Sequence, residues 1–210
     1  DWFSWYAKEL NVPCIGITSP KNFTDVTDIL IDDVTQQIEA LIPTLEEVAG
    51  QKLDMQRLRE TVARSRECTE LWRQVLKTAS ASPAPLTFFD GTIHMGPAVV
   101  LRGTQQAVDY YQQLLGELKQ RTADKVGAVD SEKHRIYWEG MPVWGRLRQH
   151  SELFAKLQAS VLVSTYCSSW IFPDFDANDP IRSMAKAYLG LFIVRSDAYK
   201  EGYIKEMLEK

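Results

Sequence analysis

The spacing of apolar residues changes twice along this 210-residue chain, and those two changes constrain the fold more than any single motif. Asp1 to Leu10 reads as a short amphipathic helix halted by Asn11. The uncharged run Val12-Pro13-Cys14-Ile15-Gly16-Ile17 then predicts a buried strand, with Thr18 to Phe23 as the loop at its carboxyl end. From about Thr24 the apolar residues recur at helical spacing. Val34, Ile38, Leu41, Ile42, Leu45 and Val48 predict one helix, interrupted or restarted at Pro43 and closed by Gly50. Asp54 suits the next N-cap, and Met55, Leu58, Val62, Cys68, Trp72, Val75 and Leu76 share one face of a long helix. Ser80 to Pro85 is a break, Leu86 to Leu101 a buried irregular helical segment, and Gly103-Thr104 opens a further helix. Past Ala123 the period changes again. His134 to Trp138 predicts a strand, Val143 to Gln158 an amphipathic helix, Ser160 to Tyr166 a second strand, and the sequence from Pro180 onward is helical. Strand, helix, strand with short connections is a parallel βαβ unit. The expected architecture is therefore α/β, with sheet-forming segments over residues 1–23 and 126–210 and a large helical block over 24–125.

Several function classes are excluded early. The chain has 24 Lys+Arg against 28 Asp+Glu and a formal net charge of −4, so no basic excess points to nucleic acid or an anionic membrane surface. No apolar stretch approaches the ~20 residues of a membrane span. Three widely separated cysteines, Cys14, Cys68 and Cys167, without a secretory leader predict a reduced, cytoplasmic protein and no zinc ribbon. The chain opens at Asp1 without an initiator Met and stops at Lys210 inside a helical pattern, which reads as a piece of a longer polypeptide. A GxxxxGK[ST] loop, a GxGxxG turn after a strand, a GxSxG elbow and HExxH are all missing, so ATP is not expected to bind this chain through a P-loop.

Ligands in open parallel sheets sit outside the carboxyl ends of the strands. That rule selects the loops Thr18–Phe23, Glu139–Trp144 and Cys167–Asp174, the last two adjacent. They supply one carboxylate (Glu139), one thiol (Cys167), hydroxyls from Tyr166, Ser168 and Ser169, and aromatic walls from Trp138, Trp144, Trp170 and Phe172. An apolar pocket with few polar groups suits a small molecule. Each residue also has a plainer role. Glu139 reads equally as a solvated turn residue and Trp144 as core. Cys68 and Cys14 read as core, and the scattered His94, His134 and His150 as structural.

The order of the segments carries a resemblance. Leu10-Asn11-Val12-Pro13 leads into the Pro20 loop. Leu45 to Asp54 heads the helical block. Arg135-Ile136-Tyr137-Trp138-Glu139-Gly140-Met141-Pro142-Val143-Trp144 begins the second α/β unit, and Tyr166-Cys167-Ser168-Ser169-Trp170 ends its next strand. Over essentially all 210 residues the set resembles the benzoyl-CoA reductase and 2-hydroxyacyl-CoA dehydratase family of iron–sulfur subunits, closer to benzoyl-CoA reductase. The resemblance implies flavodoxin-like domains, so residues 1–23 would end a first domain and 126–210 begin a second. It implies a [4Fe–4S] cluster in the intact subunit, a related second catalytic subunit, an ATP-hydrolysing iron–sulfur activator and an acyl-CoA substrate in anaerobic aromatic degradation. Cys14, Cys68 and Cys167 do not match the family's cluster positions, so the ligands are expected outside this chain and no metal ligand is assigned here. Within the segments that the carboxyl-edge rule and the resemblance both select, Glu139 and Tyr166 are the candidate catalytic polar groups, and Met141, Trp144, Cys167, Ser168 and Trp170 the candidate substrate contacts. The alternatives are a radical 2-hydroxyacyl-CoA dehydratase subunit and a non-catalytic α/β binding or interaction module.

Overall fold

The computed structural model of the protein describes residues 2–209, so the expected helix start at Asp1 and the chain end at Lys210 lie outside the described residues. Helix α1, Trp2–Leu10, forms as expected, but none of its residues is buried, and Trp2 and Phe3 are 81% and 82% exposed. The expected strand after it is not formed. Val12 to Ile17 has no regular structure, and Cys14, expected in the core, is exposed. A strand is held by hydrogen bonds to a neighbour, and among the described residues the sheet contains only the two strands introduced below.

Helix α2, Asp28–Ala49, starts where the Thr27 side chain accepts the Leu30 N–H and ends at Gly50, whose φ of 64° is the left-handed cap that glycine tolerates best. It runs on through Pro43 rather than restarting. The carbonyl of Glu39, which a proline nitrogen cannot serve, lies on an exposed turn where water reaches it. Only Ile31 and Val34 of this helix are buried; Leu45 and Val48 face outward.

Helix α3, Met55–Lys77, is capped by Asp54, which accepts from the N–H groups of Gln56 and Arg57. Its buried stripe holds Val62, Ser65, Cys68, Thr69, Trp72 and Val75, the helical period of the sequence made physical. A capping box between Thr87 and Asp90 opens α4, Phe88–His94; α5, Gly96–Val100, follows directly, and Thr104 caps α6, Gln105–Ala123. The main core is the α3 stripe against Phe88, Phe89, Met95 and Ala98 and the Ala107, Val108, Tyr111, Leu114, Leu115 and Leu118 face of α6. Each large apolar side chain buried there stabilises the fold by about 1.5–3 kcal/mol.

Strand β1, His134–Trp138, matches the expectation residue for residue. Helix α7, Leu147–Lys156, is preceded by a 3-10 turn at Trp144–Arg146, and its Leu153 and Leu157 are exposed rather than inward. Strand β2, Ala159–Ser164, pairs with β1 in parallel from His134↔Ala159 to Trp138↔Ser164. It stops two residues short of Tyr166 because the Ser164 side chain accepts the Tyr166 N–H and starts α8, Thr165–Ser168. Helix α9, Pro180–Leu189, packs Ala185 and Leu189 against Ile31 and Val34 of α2, and Arg182 bonds Asp28 (2.7 Å) and Asp32. Helix α10, Asp197–Leu208, is capped by Ser196. The chain is thus mixed helix and sheet, mostly helical, around a small parallel pair. No helix among the described residues is long and apolar enough to cross a membrane.

Candidate functional site

The carboxyl ends of β1 and β2 lie side by side, and polar side chains meet there. The Tyr137 phenol donates to Glu139 Oε2 in a short hydrogen bond, and the Thr165 hydroxyl donates to Glu139 Oε1 at 3.0 Å. Glu139 itself is exposed, while Thr165 is buried. Burial, reinforced by the Glu139 carboxylate, pushes the Tyr137 phenol up, so it keeps its proton at neutral pH. One carboxylate therefore ties the end of β1 to the start of α8.

Tyr137 also faces a cavity of about 870 Å³ between α3, α4, the strand pair and α10. Leu76, Leu86, Phe88, Ile171 and Met207 give it apolar walls, and Tyr137, Ser164, Ser168 and Tyr203 supply hydroxyls. Arg73, Lys77 and Arg135 line it as well. Arg73 is paired with Glu70 (2.7 Å), and Arg135 is paired with Glu132 (2.6 Å) while donating to the carbonyls of Ala79 and Ala81. Apolar walls with a few convergent hydroxyls suit a ligand that is largely uncharged where it is buried.

The structure brings some of the sequence-predicted residues together and separates others. The Glu139–Trp144 loop meets α8, which takes in the start of the expected Cys167–Asp174 loop, through Glu139 and Thr165 and through Trp144, whose ring meets Tyr166 edge-on at 6.1 Å. The Thr18–Phe23 loop goes elsewhere: Thr18 bonds Gln37 of α2, Asn22 donates to the Val194 carbonyl, and Phe23 bridges to Arg195. Cys167 is 3% exposed, and Cys167 and Ser168 line the cavity. Tyr166 is half-buried against the main core, Trp144 is about half exposed, Met141 is 65% exposed, and the Trp170 carbonyl accepts from Arg102 at 2.6 Å. Trp138, expected as a wall, stacks on Phe88 at 5.4 Å and belongs to the core side. Tyr137 and Thr165 escaped the sequence reading. Regular strand alternation could not have found Tyr137, because the β1–β2 register shifts between Ile136 and Tyr137, and both residues line the cavity.

An iron–sulfur cluster takes cysteine thiolates, and the cysteines here do not fit one. Cys14 is exposed, Cys68 and Cys167 are buried, and no group of three His, Cys, Asp or Glu residues converges among the described residues. Burial raises the Cys68 thiol and pushes Cys167 up to about 12, so both stay protonated.

The sequence profile of the 2-hydroxyglutaryl-CoA dehydratase D-component family matches residues 1–210. The chain belongs to that family. Within it, the chain is 32% identical over 205 residues to a benzoyl-CoA reductase subunit of Thauera aromatica, covering 91% of this chain and 48% of that protein. It is 30% identical over 194 residues to the (R)-2-hydroxyisocaproyl-CoA dehydratase alpha subunit of Clostridioides difficile, covering 91% and 47%. To the (R)-2-hydroxyglutaryl-CoA dehydratase alpha subunit of Acidaminococcus fermentans it is 28% identical over 210 residues, covering 98% and 43%. The chain thus spans about half the length of the curated relatives it matches. These relatives of the dehydratase D-component family are named as subunits of enzymes that act on acyl-CoA compounds.

Proposed function

We propose that this chain is the middle part of a catalytic subunit of an ATP-dependent benzoyl-CoA reductase that reduces an aromatic acyl-CoA to a cyclic dienoyl-CoA. Residues 1–23 then end a first flavodoxin-like domain, 24–125 form the helical block and 126–210 begin a second such domain. A related second subunit and an ATP-hydrolysing iron–sulfur activator complete the enzyme. The [4Fe–4S] cluster that this reading implies is held by residues outside these 210, because the three cysteines here are unsuited to it.

The observation that carries the reading is the Tyr137–Glu139–Thr165 set at the carboxyl ends of two neighbouring parallel strands, with Tyr137 on the wall of the cavity, in a chain of this family. The carboxyl-edge loops form one wall of the acyl-CoA cleft. Glu139 aligns the Tyr137 phenol, and that phenol takes the role expected of Tyr166: it holds a proton beside the thioester or the ring being reduced. Met141, Trp144, Tyr166 and Trp170 form apolar wall, and Cys167 and Ser168 line the interior. The apolar lining of the interior, from Leu76, Leu86, Phe88 and Ile171, serves to keep water from a reactive intermediate.

The test uses the intact enzyme with its partners. Tyr137→Phe and Glu139→Gln are expected to lower kcat/KM by roughly 10²-fold or more, while Tyr166→Phe costs less than about threefold. Wild-type turnover in the first two variants rejects the site. The second reading, a radical 2-hydroxyacyl-CoA dehydratase, is favoured by the family description and by the two dehydratase relatives. Net consumption of two electrons per product marks the reductase. Turnover of a 2-hydroxyacyl-CoA without net electron consumption marks the dehydratase.

A further inference from the structure

Arg102 stands just after α5 and just before Gly103, whose φ of 83° bends the chain toward α3. A Cβ on Gly103 would lie 2.5 Å from Thr61 Cγ2, so the glycine lets this backbone come close enough for Arg102 to reach into the molecule. The guanidinium then touches three segments. Nε donates to the Ala98 carbonyl of α5 at 3.0 Å, one terminal nitrogen to the Thr69 hydroxyl of α3, and the other to the Trp170 carbonyl at 2.6 Å. Its face lies over the Phe172 ring, 4.6 Å from the centroid.

All three of these acceptors are uncharged oxygens. Burial lowers the Arg102 pKa, and the groups that oppose this are the Cys68 thiol and Tyr111 phenol rather than a carboxylate. A desolvated charge costs stability unless hydrogen bonds satisfy its donors, as the three oxygens do here. What these bonds hold is the segment that ends α8 and follows it. The Trp72 indole grips the same segment one turn earlier, donating to the Cys167 carbonyl at 3.1 Å from a buried position. Two carbonyls and one ring of residues 167–172 are thus fastened to the helical side of the molecule.

We propose that Arg102 is a positioning residue, a three-way clamp that sets the Cys167–Phe172 segment against α3 and α5. The planar fork is required. A lysine ammonium carries the same charge but cannot bridge three fixed oxygens and stack on a ring at once. The clamp itself stands on the contacts above. Its consequence for substrate rests on the proposed acyl-CoA site, because that segment carries Cys167, Ser168 and Trp170.

The experiment compares Arg102→Ala and Arg102→Lys with the wild type in the intact enzyme. Amide hydrogen exchange is read on peptides covering 167–172, with α6 as reference, and the KM for the acyl-CoA substrate is measured alongside. In both variants the 167–172 amides are expected to exchange at least tenfold faster while α6 changes by less than twofold. The lysine variant covers the case in which the alanine variant does not fold. Ethylguanidinium in the millimolar range is expected to restore slow exchange in Arg102→Ala, and ethylammonium is not. Unchanged exchange at 167–172, an equal rise in α6, or rescue by ethylammonium overturns the clamp. KM is expected to rise at least fivefold. Faster local exchange with an unaltered KM upholds the clamp and overturns instead the placing of this segment in the substrate wall.

Discussion

Replacing Tyr111 by phenylalanine removes one oxygen atom from the centre of the molecule and tests how α4 and α5 are joined. Tyr111 is fully buried, and its hydroxyl donates to the His94 carbonyl at 2.8 Å and accepts the Ala98 N–H at 2.9 Å. Ala98 is the third residue of α5, so its N–H belongs to the first-turn donors that have no acceptor within the helix. His94 is the last residue of α4, and its carbonyl is one of the unpaired acceptors at that end. One phenol therefore serves both ends of a helix junction that has no side-chain cap of its own. Phenylalanine keeps the ring and its 5.3 Å contact with Trp72. It leaves the buried N–H unpaired, about 1–3 kcal/mol, and forfeits one further hydrogen bond, about 0.5–1.5 kcal/mol, for a total of roughly 2–4 kcal/mol. At about 2–4 °C per kcal/mol for a chain of this size, Tm falls by roughly 4–16 °C. In urea the midpoint should drop with the slope unchanged. Tyr110→Phe is the internal control, since its hydroxyl bonds His94 Nδ1 at 2.7 Å on the exposed side, and a change within about 0.5 kcal/mol is expected. A Tyr111→Phe variant as stable as Tyr110→Phe refutes the bridging role.

Three further outcomes are expected. Burial holds the His94 imidazole below its ordinary range, with Asp90 and Glu117 opposing. The unfolded chain therefore takes up the proton first, so this contribution is present above about pH 6.5 and is lost as pH falls; the drop in Tm from pH 7 to 5 should be shallower in His94→Gln. Gly103→Ala combines a left-handed φ with the 2.5 Å clash against Thr61 and should destabilise by about 2–4 kcal/mol in thermal melts, against a negligible loss for Gly116→Ala, where a Cβ meets open space. In a thiol-labelling assay of the native chain, the exposed Cys14 should be labelled first, with Cys68 and Cys167 appearing only on unfolding, because both are buried and burial raises both thiols.

What was legible in the sequence is what short-range physics dictates. The α3 stripe through Cys68, Trp72 and Val75 follows from the helical period, and the caps at Gly50, Asp54 and Thr104 follow from termini that need donors or a left-handed residue. Strand β1 is bounded by a polar stretch before it and a Gly140-Met141-Pro142 turn after it, and forms where expected. What was not legible depends on partners far along the chain. The apolar run at Val12–Ile17 has strand composition but no neighbour to bond among the described residues. Helix α2 turns Ile31 and Val34 to α9, leaving Leu45 and Val48 of the same stripe exposed. At the site, the register shift between Ile136 and Tyr137 breaks the strand alternation, and only the fold shows that Tyr137 meets Glu139. Arg102 carries little local signal, since only its Ala98 acceptor is nearby and the other two come from residues 69 and 170.

The α2–α9 pairing has a consequence for synthesis. Its ion pairs join positions 150 and 154 residues apart, whereas α3 and α6 enter the chain close together. At about 5–20 residues per second, α2 leaves the ribosome roughly 8–30 s before the partner that covers it. The α3–α6 core can close in that interval, since local contacts form first. Ile31 and Val34 then wait on the surface of a nascent chain, a natural landing place for a holdase chaperone, and any pause in translation before Pro180 lengthens the wait.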